Sequence, residues 1–289
     1  MATGGMAVAR SVEALRQAVA VWRARQERVG LVPTMGSIHD GHLALVHAAR
    51  GQCGRVVASL FVNPAQFAPS EDFAAYPRSE AADSAAFQKA GVDLVFIPDV
   101  AEMYPPGFAT SVHVGGVSEG LCGPYRPGHF DGVATVVAKL LLQTLPDAAY
   151  FGEKDYQQLM VVRRLTRDLA IPVRIEGVAT VREADGLALS SRNAYLSPEQ
   201  RRSAPLLYRV LCDSAAALAQ EAEAPDAVAG ILERGIAALR AGGFVVDYFE
   251  LRDASDLVPV MQLTGPARLL AAAHLGRTRL IDNVPVAAG

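Results

Sequence analysis

The chain has 289 residues, a formal net charge of −3 and 51% hydrophobic residues. That length exceeds the usual single domain of about 100–200 residues, so two domains are expected, with apolar content enough for a sizeable core. The balance of charge excludes the basic footprint of a nucleic-acid binder, and no apolar run of about 18 residues is present to span a bilayer.

The opening MATGGMAVAR lacks a basic start followed by a long apolar run, so no secretory leader is expected. Three cysteines, Cys53, Cys122 and Cys212, include no Cys-x-x-Cys pair. An odd number without that spacing argues against a disulfide framework and for structural thiols in a reducing cytosol. Lysine is scarce, with Lys89, Lys139 and Lys154 the full set.

Along the chain, Val12, Leu15, Val19 and Trp22 have helical spacing within residues 11–28, and the apolar run 29–32 reads as a buried strand. Gly36 and Gly41 bracket a turn, and residues 42–50 read as a helix, so PTMGSIHDGH lies on a strand–turn–helix junction. The pattern repeats with strands at 55–62, 93–97, 148–151 and 173–181 and helices at 79–90, 130–145 and 156–169. Alternation of this kind predicts a Rossmann-like open sheet of parallel strands, which binds ligands outside the carboxyl ends of its strands.

After about Val181 the character changes. READGLALSSRN has little periodicity, Ser197-Pro198-Glu199 starts a helix, and helices over 198–220 and 225–241 precede strand-like runs at 244–251, 267–275 and 278–284. The expectation is an α/β domain over 1–181 followed by a smaller α+β domain over 182–289.

Five segments offer chemistry. His39 and His42 stand one turn apart at a helix start, where free main-chain N–H groups attract anions. They read either as donors to phosphate oxygens or as a capping or surface pair. A zinc site is the weaker reading, since two histidines supply only two ligands. GEKD places Lys154 at a ligand-facing strand end, to neutralise phosphate, or forms a solvated charged turn. There Asp155 opens a helix, as a cap or as a ribose partner. Ser190, Ser191 and Arg192 make a clamp for phosphate oxygens, though Ser-Ser-Arg also occurs by chance.

In FVNPAQF, Asn63 and Gln66 are amides suited to a small polar ligand, or belong to a plain turn around Pro64. In YRPGHFDGV, Arg126 and His129 face a cleft or anchor their loop. No Gly-x-Gly-x-x-Gly follows a strand, no Gly-x-x-x-x-Gly-Lys-Ser/Thr exists, and no Ser/His/Asp or catalytic cysteine signature is visible.

Taken together, PTMGSIHDGH, FVNPAQF, the YPR at 76–78, RPGHFDGV, FGEKDYQQL, DGLALSSRN and RLIDN occur here in an order and spacing that resembles the pantothenate synthetases, over about residues 8–286. That family is similar to nucleotidyltransferases and class I tRNA synthetases with a His-x-Gly-His motif. The resemblance implies that pantoate attacks ATP to give pantoyl adenylate and pyrophosphate, and that β-alanine then releases AMP and gives pantothenate, with Mg²⁺ accompanying ATP.

It further implies that Met35, Gly36, Ser37, Ile38, His39, Asp40, Gly41 and His42 line the ATP site. Gly152, Glu153, Lys154, Asp155, Val181, Leu189, Ser190, Ser191 and Arg192 would join them. His42, His39, Lys154 and Arg192 carry the catalytic expectation. Gln66 and Gln158 would hold pantoate, with Asn63, Tyr76, Arg126 and His129 in the cleft. A homodimer, a cytoplasmic location and a C-terminal lid also follow from the resemblance.

Two departures stand out: Ser37-Ile38 replaces a common Asn-Leu or Ala-Leu, and of the carboxylates after YPR linked to metal in some relatives only Asp83 remains, so no protein metal ligand is named. The rival readings are a nucleotidyltransferase that forms no amide and a non-catalytic ligand- or RNA-binding relative of the synthetases.

Overall fold

A computed structural model describes residues 5–67, 79–221 and 227–287. The chain divides into two compact units: residues 1–114, 126–153 and 161–179 in the first, and 115–125, 154–160 and 180–289 in the second.

The first unit holds six parallel strands: β1 (Ala7–Ala9), β2 (Val29–Thr34), β3 (Arg55–Leu60), β4 (Leu94–Phe96), β5 (Ala148–Gly152) and β6 (Arg174–Val178). Their order is β1-β4-β3-β2-β5-β6. Helices α1 (Val12–Ala24), α2 (Asp40–Gln52), α3 (Glu80–Ala90), the one-turn α4 (Val100–Met103) and, beyond the one-turn α5 (Cys122–Tyr125), α6 (His129–Thr144) separate the strands. Helix α7 (Tyr156–Asp168) leads to β6.

Both sheet faces are apolar, as a parallel sheet sandwiched by helices requires. Val32, Val56, Ala58, Val95 and Tyr150 pack with Leu45, Val46, Ala49 of α2 and Phe87 of α3. The alternate set, Leu31, Val57, Leu94, Phe96 and Ala149, is equally buried and points to the opposite face. Helix α1 starts where its spacing predicts, with Ser11 Oγ accepting from Ala14 N at 3.2 Å, and buries Leu15 and Val19.

The chain leaves β2 for β3 and β4 on one side and returns to β5 and β6 on the other, so β2 and β5 flank the topological switch point. There the sheet splits. β2 stays paired with β3 to Thr34↔Leu60, and β5 stays with β6 to Gly152↔Val178, yet the β2–β5 pairing covers only Gly30↔Ala148 and Leu31↔Ala149. The β2–β5 ladder therefore stops short of the carboxyl ends of both strands, at the place where open α/β sheets bind ligands.

The second unit contains α5, the first turn of α7, α8 (Pro198–Ser203), α9 (Leu206–Glu221), α10 (Ala227–Ala241) and an antiparallel sheet of β7 (Val245–Asp253), β8 (Ala267–Leu275) and β9 (Thr278–Val286). Leu207, Leu211, Ile231, Leu239, Phe249, Leu269 and Leu280 form its core. The single helix expected over 198–220 is two, because Pro205 has no N–H to donate to the helical ladder. The first part of READGLALSSRN, read from sequence as an aperiodic loop, forms a tight hairpin with Val181: Leu189 N donates to Val181 O at 3.0 Å and Glu183 N to Leu187 O at 2.8 Å. The three-residue β1 is too short to leave a periodic signal. No helix among the described residues is long and apolar enough to cross a membrane.

Candidate active site

The segment after β2 is a strained turn feeding a helix. Thr34 Oγ1 donates to Ser59 O at 2.6 Å and lies 3.4 Å from the N–H of Gly36, which fixes the strand end. Gly36 has φ +92° and Ser37 has φ +55°, both left-handed. Glycine adopts that region freely, whereas serine does so at a cost. Asp83, reaching over from α3, accepts from Ser37 N at 3.0 Å and from Ile38 N at 2.8 Å.

His39 is the N-cap of α2. Its Nδ1 accepts from Gly41 N at 3.1 Å, and His42 Nδ1 faces the N–H of His39 at 3.4 Å, so the pair forms a reciprocal cap. The two rings are 4.1 Å apart between centroids. The capping alternative is therefore realised, and it is compatible with a role toward anions. A ring whose Nδ1 accepts from a main-chain N–H carries its hydrogen on Nε2, which makes Nε2–H a donor.

Beyond β3, residues 61–67 are built around Asn63, which is only 1% exposed. Its Nδ2 donates to Gln66 Oε1 at 3.2 Å and to Gly132 O at 3.1 Å, while its Oδ1 accepts from Ala65 N at 3.2 Å and from Tyr104 Oη at 2.7 Å. All four hydrogen-bonding positions of the amide are filled, so Asn63 organises the segment rather than offering itself to a ligand. Gln66 Nε2 lies 2.8 Å from Met35 Sδ, tying this segment to the turn after β2. Burial pushes the Tyr104 hydroxyl up to about 12, so it is a constant donor.

His129 Nδ1 lies 2.9 Å from Gln66 O, and its Nε2 lies 3.0 Å from Arg126 Nη1. A Cβ at Gly132 would stand 2.3 Å from Ala65 O, so only glycine lets α6 approach the segment this closely. Met35, Asn63, Gln66, Arg126 and His129 are thus brought into one hydrogen-bonded set. Gly152 ends β5 and Glu153 follows it, beside the strand β2 from which Met35 and Gly36 lead away. Tyr76 lies outside the described residues.

In the second unit, Lys154 is mostly buried and its Nζ lies 3.7 Å from Asp155 Oδ2. Gln158 is half-buried on α7, two residues after Tyr156. Val181 and Leu189 face one another across the hairpin base. Ser190 Oγ accepts from Arg192 N at 3.2 Å, capping the 3-10 turn Ser191–Tyr195 while its own O–H remains a donor.

Strand β9 holds both pieces. Asp282 makes a two-pronged ion pair with Arg182 (2.6 and 2.9 Å), and Asn283 Nδ2 donates to Lys154 O at 3.0 Å. These anchors, like Tyr104 and Gly132, were not assigned from sequence. RLIDN, YRPGHFDGV and READG were visible as motifs, but their pairings are long-range.

Among the described residues no group of three or more His, Cys, Asp or Glu side chains is placed to hold a metal ion. Asp83 accepts one main-chain N–H on each oxygen. The three cysteines are free thiols, with Cys53 and Cys122 buried.

The model of the pantoate-beta-alanine ligase family matches residues 7–285. The pantothenate synthetase of Paramagnetospirillum magneticum is 60% identical over 283 residues, covering 96% of this chain and 97% of the relative. The crystal structure of pantothenate synthetase from Thermus thermophilus superposes with a TM-score of 0.90 at 51% identity, covering 98% of this chain and 100% of that one. The pantoate-beta-alanine ligase of Francisella tularensis, solved in complex with β-γ ATP and β-alanine, has a TM-score of 0.78 at 30% identity over 96% of this chain and 97% of its own.

Proposed function

The chain belongs to the pantoate–β-alanine ligase family and is an ATP-dependent ligase of pantoate and β-alanine; we propose that it works through pantoyl adenylate, with the residue roles set out below. A pantoate carboxylate oxygen attacks the α-phosphorus of ATP, and pyrophosphate leaves. The amine of β-alanine then attacks the acyl carbon, AMP leaves, and the nitrogen loses a proton.

A carboxylate is already a nucleophile, so the first step needs no base. What it needs is stabilisation of the charge that builds on the phosphates. We assign that to Nε2–H of His39 and His42, to the Lys154 ammonium, to the Arg192 guanidinium and to the hydroxyls of Ser190 and Ser191. Met35, Gly36, Ser37, Ile38, Asp40, Gly41, Gly152, Glu153, Asp155, Val181 and Leu189 complete the ATP assignment. Gln66 and Gln158 are assigned to pantoate, and Asn63, Arg126 and His129 to holding Gln66.

The observation that supports this reading most is the set of bonds around Gln66. Its side-chain amide is oriented at Oε1 by Asn63 and at Nε2 by Met35, the residue that opens the ATP segment. That chain links a candidate acid-binding amide to the nucleotide-binding turn, which is what transfer from ATP to a carboxylate requires. Mg²⁺ is proposed to arrive on the triphosphate, whose oxygens are hard ligands for it. The free thiols suit a cytosolic location. Exposed Val21 on α1 and exposed Leu142 and Leu145 at the end of α6 suit a homodimer, which the mass measured by analytical ultracentrifugation tests.

The discriminating experiment is product analysis with ATP, pantoate and β-alanine together. Equal amounts of AMP and pantothenate, with AMP release dependent on β-alanine, support the reading. Adenylylated pantoate accumulating unchanged in the presence of β-alanine would mark a nucleotidyltransferase instead.

A further inference from the structure

We infer that Asp83 is a positioning residue for ATP: its buried carboxylate sets the Gly36–Ser37–Ile38 turn, and with it the start of α2, in the shape that receives the nucleotide. The inference rests on the assignment of Met35–His42 to ATP proposed above.

Asp83 is 6% exposed, and a buried carboxylate is tolerated only when its oxygens are hydrogen-bonded. Here the two oxygens are divided between successive amides, Oδ2 with Ser37 N and Oδ1 with Ile38 N, which lie 46 and 45 residues away in sequence. Those amides belong to the most strained part of the segment. Ser37 sits at φ +55° without being glycine, and such a residue persists only when its surroundings over-determine it.

Asp83 is the group on hand to do so. It packs flush on the turn: a Cβ on Gly36 would stand 2.9 Å from Asp83 Oδ2. Thr34 and Ser59 hold the start of the turn and the His39–His42 cap holds its end, which leaves Asp83 to hold the amides between them. Loss of the carboxylate frees Ser37 to return to ordinary backbone angles, and the short stretch between it and the N-cap carries that change to His39 and His42. With one main-chain N–H on each oxygen, Asp83 acts on the nucleotide through the turn.

The test uses full-length protein and pantoate-dependent ATP–pyrophosphate exchange, with Asp83→Ala and Asp83→Asn each made alone and in combination with Ser37→Gly. Two lost bonds to a buried, strained turn predict a KM for ATP raised roughly 10- to 100-fold in Asp83→Ala, with KM for pantoate moving far less. Glycine adopts the left-handed region without steric cost, so the same replacement combined with Ser37→Gly is expected to do at least about threefold less damage. Hydrogen exchange read by NMR or mass spectrometry adds a measure independent of turnover: the 36–39 amides lose protection while those of β2 and β3 keep theirs.

Equal losses with and without Ser37→Gly, or a loss reversed by raised Mg²⁺ or by Mn²⁺, would overturn the proposal in favour of a metal role or a general effect on folding. An unchanged KM for ATP would overturn it outright. If Asp83→Ala does not fold, Asp83→Asn decides, since it keeps one acceptor and turns a donor against the other amide. Absence of exchange in the unaltered enzyme would instead count against the assignment of function, which keeps the two failures apart.

Discussion

His129 Nδ1 stands 2.9 Å from the main-chain carbonyl oxygen of Gln66. A guanidinium only donates, so the Arg126 contact makes Nε2 the acceptor and leaves the ring hydrogen on Nδ1, pointing at that carbonyl. The ring therefore holds the backbone of a pantoate-assigned residue in one tautomer. His129→Asn places an amide N–H near the Nδ1 position, whereas His129→Gln reaches too far. We expect His129→Ala to raise KM for pantoate about tenfold, the worth of one well-placed hydrogen bond, with His129→Asn retaining more activity than His129→Gln. Steady-state kinetics with pantoate varied checks the ordering, and equal effects of all three would contradict it.

Gly132 tests the same pocket from the other side. A methyl group there would overlap Ala65 O at 2.3 Å, so α6 and the 63–66 segment must part. Gly132→Ala is expected to cost about 1–3 kcal/mol of stability, as overpacking does, and to raise KM for pantoate more than KM for ATP. Chemical denaturation alongside kinetics reads both.

Tyr104 gives a pH signature. Its ordinary value is 10.0 and burial raises it to about 12, so its contribution is complete below pH 10 and is lost as pH climbs toward 12. Tyr104→Phe removes the donor to Asn63 Oδ1, costing ~1 kcal/mol at neutral pH. The stability gap between the two proteins is expected to shrink between about pH 10 and pH 12. Urea melts at about pH 8 and about pH 11 measure it, and a gap that widens at the higher pH would contradict the account.

In the second unit, Asn283 fixes the main chain of Lys154 and Asp282 fixes Arg182 at the base of the hairpin. Lys154→Ala is expected to abolish pyrophosphate exchange. Asn283→Ala leaves the ammonium present but its backbone unheld, and an exchange rate lower by about tenfold is expected, with overall secondary structure by circular dichroism unchanged.

The parallel sheet was legible because continuous apolar runs such as 29–32 and 55–60, separated by helical spacing, have few other solutions. The turn at Gly36 was legible because it is local, whereas the cap at His39 stood as one of two readings and the helix begins at Asp40, two residues before the expected start. What sequence left hidden is what depends on distant partners. Asp83 reads as a leftover carboxylate until its bonds to Ser37 and Ile38 are seen. Asn63 reads as a ligand-binding amide until its four partners fill it. Residues 181–189 lack periodicity because a tight hairpin is defined by cross-strand bonds and by Gly186 at φ +93°, not by an apolar face. Residues 115–125 and 154–160 group with the second unit through tertiary contacts that no local pattern announces.

An acyl-adenylate step that precedes the amine makes ATP–pyrophosphate exchange without β-alanine the decisive measurement. Labelled pyrophosphate should enter ATP only when pantoate is present, and the rate should need no amine. Exchange that is absent until β-alanine is added, or that proceeds without pantoate, would contradict it.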